Sequence, residues 1–192
     1  FLQHVPKNII VVLDGAYSEF ITDIRYTDGI ELINKFPNVI VTRTFSKIFA
    51  MAGLRLGWAY SNEKIIELLE KVRGPFNVNT LSQYIGTLIL KEKEFLRKSI
   101  IHNDKWRKIL PAEIKKIGLE SYESFANFVL IKVDDKKHSK AKILSFLRKK
   151  KILVRDLSNY GMKQFIRVSI GSTSDLKKFL KELRNSINKK NA

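Results

Sequence analysis

The sequence contains no cysteine, which excludes both a disulfide framework and a thiolate metal site. Histidine is nearly as scarce. His4, His102 and His138 stand far apart and show no ligand spacing, so the chain reads as a protein without a metal centre. No apolar run approaches the length of a membrane span. Neither the aromatic–basic motif of an RNA-binding sheet nor the glycine-containing turn of a helix-turn-helix is present. Internal repeats and low-complexity linkers are missing as well.

What is present is enough for a packed core. The 192 residues suffice for one ordinary domain or two small ones, with 44% hydrophobic and 29% charged residues. The chain starts at Phe1 and soon enters a strand-like run, so it reads as an internal piece of a longer protein. The net charge of +17 is unevenly spread. Residues 1–96 carry 11 basic and 10 acidic side chains, whereas residues 97–192 carry 25 and 9. That basic second half is either an anion- or nucleic-acid-binding surface or a lysine-rich solvated one, lysines outnumbering arginines 26 to 10.

Apolar runs and helical periods alternate along the chain, which argues for an α/β class. "NIIVVLD" (residues 8–14) is a continuous apolar run rather than an alternating one, the pattern of a strand buried on both faces of a helix-covered parallel sheet, and "NVIVTRTF" (residues 38–45) reads as a second buried strand. "GIELINKF" reads as a short helix and "LRLGWAY" as a third strand. Ser61 or Asn62 is placed to cap the helix "EKIIELLEKV", and Thr80 and Gln83 have capping-box spacing before the next one. A long helix over residues 92–117 should be kinked or split at Pro111 and stopped by Gly118. Beyond it, "NFVLIKV", "ILVRDL" and "QFIRVSIG" read as strands and "SKAKILSFLRKK" as a helix. A last helix buries Leu176, Phe179, Leu180, Leu183 and Ile187 at helical spacing.

One group of residues carries chemistry by its joint placement. Asp14 ends the first strand and Tyr17 follows three residues later. Lys47 follows the second strand, next to Ser46, and Arg55 lies eight residues on. The ends of strands are where ligand-binding residues collect in open α/β sheets. Taken singly, Asp14 could cap the next turn, Tyr17 could be a packed aromatic, and Lys47 a surface amine.

"DGAYSEF" followed by "TRTFSKIFAMAGLRLGW" resembles the class I/II, fold-type-I pyridoxal-phosphate aminotransferases, in which D-x-A-Y and S-K-x(7)-R motifs bracket the cofactor. The likeness continues through "RGPFNVN", "ANFVLIKV", "ILVRDLSNYGM" and "FIRVSIGS", where it is nearest to the histidinol-phosphate aminotransferases. It implies the second half of the large, mostly parallel-sheet cofactor domain over residues 1–95. A small α/β C-terminal domain, including the interdomain helix, would occupy residues 96–192.

The resemblance implies pyridoxal 5'-phosphate as cofactor, with Lys47 as the Schiff-base lysine that also moves the substrate proton. An apolar setting and nearby Arg55 would favour the neutral amine that this role needs. Asp14 would face the pyridine nitrogen, where a carboxylate keeps the ring protonated, and pairing would offset the cost of a carboxylate ending a buried strand. Tyr17 would donate to the cofactor's phenolate oxygen. Ser46 and Arg55 would hold its phosphate.

Arg167 would clamp the substrate α-carboxylate and Arg155 would approach a distal phosphate. Alternatively, Arg167 is an edge arginine turned to solvent, and Arg155 pairs with Asp156 or lies on the surface. Tyr160 and Asn127 are near-site candidates. The implied reaction is transamination of histidinol phosphate with 2-oxoglutarate and glutamate, by a cytoplasmic homodimer with small-molecule partners only. Other implied readings are an aromatic or broad-specificity aminotransferase or a threonine-phosphate decarboxylase. A basic nucleic-acid-binding module is the competing class. The family's N-P-x-G segment, its glycine-containing phosphate cup and its N-terminal tyrosine are not in this sequence, so the chain alone is expected to be inactive.

Overall fold

The first apolar run forms only a short strand, β1 (Val11–Asp14), in the computed structural model, which describes residues 1–134 and 136–188. β1 pairs in parallel with β2 (Val39–Thr44), in the register Val11↔Val39 to Asp14↔Thr42. β2 pairs antiparallel with β3 (Gly57–Tyr60), giving a three-stranded sheet in the order β1-β2-β3. Only β2, flanked on both sides, has the burial that its apolar run predicts. The expectation that β1 is buried on both faces fails. It is an edge strand whose residues alternate between half-buried and exposed, and β3 at the other edge is exposed throughout. Asp14 is therefore an exposed carboxylate, not one enclosed at the end of a buried strand.

The period of two puts Val39, Val41 and Arg43 on one face of β2, where the two valines meet Ile33 of a 3-10 turn, Ile30–Asn34. After β3 comes α1 (Glu63–Val72), capped by Asn62, whose side-chain oxygen accepts the Ile65 N–H at 3.1 Å. Ser61 is not the cap. It is buried, and its hydroxyl donates to the Val39 carbonyl at 2.6 Å. α2 (Thr80–Ile89) likewise begins one residue earlier than the capping-box spacing suggests. Asn79 accepts the Ser82 N–H at 2.9 Å, and Gln83 turns back to the Val78 carbonyl. The asparagine oxygen reaches the third helical N–H directly, so it displaces the weaker threonine cap.

α3 (Lys93–Lys116) runs unbroken through Pro111. Leu110 and Ile114, flanking the proline, are both fully buried, and this packing offsets the hydrogen bond that proline cannot donate. The helix ends at Gly118 as its sequence predicts. With φ +87°, Gly118 donates to Lys115 at 3.0 Å while Leu119 donates to Ile114 at 3.2 Å, the paired bonds of a Schellman stop.

The chain divides into two compact units, Phe1–Ile100 and Ile101–Ala192, the division falling inside α3. The second unit has a four-stranded, wholly antiparallel sheet ordered β4-β5-β7-β6. Its strands are β4 (Glu120–Tyr122), β5 (Phe128–Lys132), β6 (Arg155–Asp156) and β7 (Phe165–Ser169). β5 and β7 alternate, sending Val129, Ile131, Ile166 and Val168 to one face. There they meet Leu110 and Ile114 of α3, Ile143 and Leu147 of α4 (Lys140–Lys149), and the periodic apolar residues of α5 (Thr173–Asn188). All five residues expected to face the core in α5 do so. Among the described residues no helix is long and apolar enough to cross a membrane.

Candidate functional site

In the first unit, parallel pairing of β1 with β2 brings two loops to the same sheet end. Gly15 N–H donates to the Thr42 carbonyl at 2.9 Å, continuing the ladder one residue past Asp14. Asp14 Oδ1 accepts the Ala16 N–H at 3.1 Å, so the carboxylate makes the local turn cap that its position allows. Tyr17 then opens a 3-10 turn over Ser18–Phe20.

The second loop leaves β2 at Thr44, whose hydroxyl accepts the Ser46 N–H at 3.0 Å. Phe45, Ile48 and Met51 all turn into the core. That partition decides the fate of the lysine between them. Lys47 is exposed, because the apolar side chains that were expected to enclose it face away from it. Its ammonium lies 5.4 Å from the centre of the Tyr17 ring, a cation–π contact joining the two loops. The loop closes through Ala50 and Arg55, both with left-handed backbone at φ +57° and +56°. Non-glycine residues adopt such angles only where their surroundings enforce them, and these cluster at ligand sites. Arg55 Nη1 donates to the Ala52 carbonyl at 2.7 Å and reaches Ser46 Oγ at 3.4 Å.

Tyr17 with Lys47 and Ser46 with Arg55 are thus two pairs within one loop system, and Asp14 is held at the adjoining strand end. The donor set fits a phosphorylated aldehyde: a guanidinium and a hydroxyl for the phosphate, an accessible amine for the aldehyde, a carboxylate for a ring N–H.

Arg43 was missed by the sequence reading. Its side chain is 4% exposed and its guanidinium lies directly beneath Gly15. Nη1 donates to Thr42 O at 3.1 Å and Nη2 to Asp28 O at 2.8 Å. Glu19 and Asp28 carboxylates stand 3.7 and 3.6 Å away. Burial pushes the Glu19 carboxyl above its usual range, with its own backbone N–H and then Arg43 acting the other way. The signal was available: an arginine at the third position of an alternating Val-x-Val-x-Arg face.

In the second unit, Arg155 and Arg167 are direct cross-strand partners. Arg167 is not an edge residue, since β7 has a neighbour on each side. It is half-buried, its guanidinium lies 4.9 Å from the Phe128 ring centre, and its Nε is buried without a hydrogen-bond partner. Arg155 is exposed and reaches the Tyr160 hydroxyl at 3.4 Å. Asp156 does not take Arg155. Its Oδ1 accepts from Lys140 at 2.7 Å, and from the Ser158 N–H and hydroxyl. That ammonium, then the two Ser158 donors, holds the Asp156 carboxyl down to about 2. Like charges directly opposite on a sheet destabilise it, so the arginine pair suits an anionic ligand. A cleft of about 350 Å³ beside them is lined by both arginines and by Ser169 and Asp175. Asn127 joins this region only through its carbonyl, which accepts from Ile170 N–H at 2.8 Å. Among the described residues no three His, Asp or Glu side chains gather to hold a metal ion.

Residues 1–183 match the family model for aminotransferase class I and II, and the chain belongs to that family. It is 39% identical over 180 residues to the histidinol-phosphate aminotransferase of Maricaulis maris, covering 93% of this chain and 50% of that protein. The crystal structure of the histidinol-phosphate aminotransferase from Clostridium acetobutylicum superposes with a TM-score of 0.89 at 27% identity, covering 98% of this chain and 57% of that one. The enzyme from Sinorhizobium meliloti, solved in complex with pyridoxal-5'-phosphate, shares the fold at a TM-score of 0.84 and 23% identity, over 97% of this chain and 51% of that one. The chain spans about half the length of the curated relatives it matches.

Proposed function

We propose that this chain is part of a pyridoxal-phosphate-dependent histidinol-phosphate aminotransferase, exchanging the amino group of histidinol phosphate with 2-oxoglutarate and glutamate in histidine biosynthesis. The observation that carries the reading is the loop pair that sets the Lys47 ammonium against Tyr17 and Arg55 against Ser46. It is supported by relatives of that name at 35–39% identity over nearly the whole chain.

Bound pyridoxal phosphate supplies an aldehyde and an electron-accepting ring. In this reading Lys47 Nζ would hold the cofactor at its aldehyde and would move the proton at the substrate's Cα. Asp14 would accept from the ring N–H and so favour its protonated form. The Tyr17 hydroxyl donates to the ring oxygen, while Ser46 and the Arg55 fork bind phosphate oxygens. Arg167 receives the substrate α-carboxylate and Arg155 its distal phosphate. The phosphate role for Arg155 favours histidinol phosphate over aromatic amino acids.

Residues 1–95 would then belong to the cofactor domain and residues 96–192 to the small domain of a cytoplasmic homodimer. The basic second half favours the approach of anionic substrates. The 192-residue stretch by itself is expected to give no turnover. The test uses the full-length protein. Lys47→Ala should abolish the visible band of the bound cofactor together with nitrogen exchange from histidinol phosphate. Survival of band and turnover, or a preference for phenylalanine, or release of carbon dioxide from threonine phosphate, would overturn the assignment.

A further inference from the structure

Gly15, between Asp14 and Ala16, has an unusual neighbour. A Cβ added there would lie 1.7 Å from Arg43 Nη1 and 2.6 Å from its Cζ. No side chain fits between the loop and the guanidinium, so the loop rests on the arginine itself. The two also share an acceptor, for Thr42 O receives Gly15 N–H at 2.9 Å and Arg43 Nη1 at 3.1 Å.

The guanidinium is tied on its other sides too. Nη2 reaches Asp28 O, and Cζ lies 5.7 Å from the centre of the Trp58 ring of β3. The carboxylates of Glu19 and Asp28 face it beyond hydrogen-bonding range. Glu19 Oε2 is itself buried with no hydrogen-bond partner. A buried cation with two carboxylates held off at more than 3.5 Å is costly where a valine would continue the Val39–Val41 face. Stability alone is thus a poor reason for the arginine. What distinguishes its position is that it touches the β1 end, the Asp28 turn and β3 at once, directly under the loop holding Asp14 and Tyr17.

We infer that Arg43 is a positioning residue, whose guanidinium wedged under Gly15 sets the Asp14–Tyr17 loop so that Tyr17 stands over Lys47. The inference rests on the cofactor reading above and adds to it a residue that never touches cofactor or substrate. Arg43 acts through backbone: it fixes the height of the Gly15 peptide and, through the Asp28 and Trp58 contacts, its lateral place. Lysine retains the charge but offers neither the planar fork nor its two divergent donors.

The test is a double-mutant cycle in the full-length cofactor-loaded protein, with variants Arg43→Lys, Gly15→Ala and Tyr17→Phe. The readout is the pH midpoint of the cofactor's visible band, which Tyr17 and Asp14 would set. Arg43→Lys and Gly15→Ala should each move that midpoint in the same direction as Tyr17→Phe, by on the order of one pH unit. Turnover should fall by about a hundredfold, as expected for a small misplacement of a reacting group. Combining Arg43→Lys with Tyr17→Phe should shift the midpoint no further than the larger single change. Additive shifts, or an unmoved midpoint with only a lowered unfolding temperature, would make Arg43 a structural residue and overturn the inference. Gly15→Ala keeps every buried polar group, so it carries the test if Arg43→Lys does not fold. Loss of fold in both would assign Arg43 to the core and also overturn it. A cofactor band that survives Lys47→Ala in the otherwise unaltered full-length protein would instead refute the cofactor reading itself.

Discussion

Replacing Arg55 with alanine in the full-length protein isolates the proposed phosphate grip. A guanidinium has five N–H donors. Nη1 is committed to Ala52 O and lies near Ser46 Oγ, which leaves Nε and Nη2 for phosphate oxygens. One hydrogen bond to a charged group contributes about 1.5–3 kcal/mol, which corresponds to a roughly 10- to 150-fold change in Kd. Arg55→Ala should weaken pyridoxal phosphate by that factor, read by titrating apoprotein and following absorbance. Arg55→Lys keeps the charge without the fork and should fall in between. The backbone supplies an internal control. Arg55 has φ +56°, a conformation that costs a side-chain-bearing residue about 1–2 kcal/mol and glycine almost nothing. Arg55→Gly should therefore bind cofactor as poorly as Arg55→Ala yet unfold at a higher temperature. A Kd for Arg55→Ala within about threefold of wild type would refute the phosphate role.

The Lys140–Asp156 pair should respond asymmetrically to mutation, because the lysine side chain is 9% exposed and the aspartate 46%. Asp156→Ala, which strips a buried ammonium of its carboxylate, should cost about 2–3 kcal/mol in a denaturant titration, and Lys140→Met about 1 kcal/mol. The folded Asp156 carboxyl is held at about 2, below its ordinary 3.8. Its contribution is therefore complete above 3.8 and disappears as pH falls through 2, and solvent screening limits it to about 1 kcal/mol. Gly118→Ala should cost about 1 kcal/mol through the backbone alone, since its added Cβ would meet nothing within 4 Å.

The sequence reading succeeded where residues carry their own local instruction. The five-residue apolar stripe of α5 could face only a core, and Gly118 could only end α3 with a left-handed residue. The sequence placed Tyr17 and Lys47 just past two strand ends, and the loops that follow β1 and β2 do meet there. Two things were not legible. A continuous apolar run does not reveal how many neighbours a strand has, so β1 was expected to be buried and has a single neighbour, β2, within this stretch of chain. Equally, the apolar residues flanking Lys47 do not reveal which way the loop turns. Phe45, Ile48 and Met51 point inward, and the lysine is left outside. Arg43 was passed over for a related reason. In a strand read simply as buried, the period of two that places an arginine on the valine face went unused.

The central claim is that Lys47 is the residue that bears the cofactor. Borohydride reduction of the cofactor-loaded full-length protein, followed by peptide mass mapping, tests it directly. The account predicts a pyridoxyl group fixed on Lys47, and its appearance on any other lysine, or on none, would contradict it.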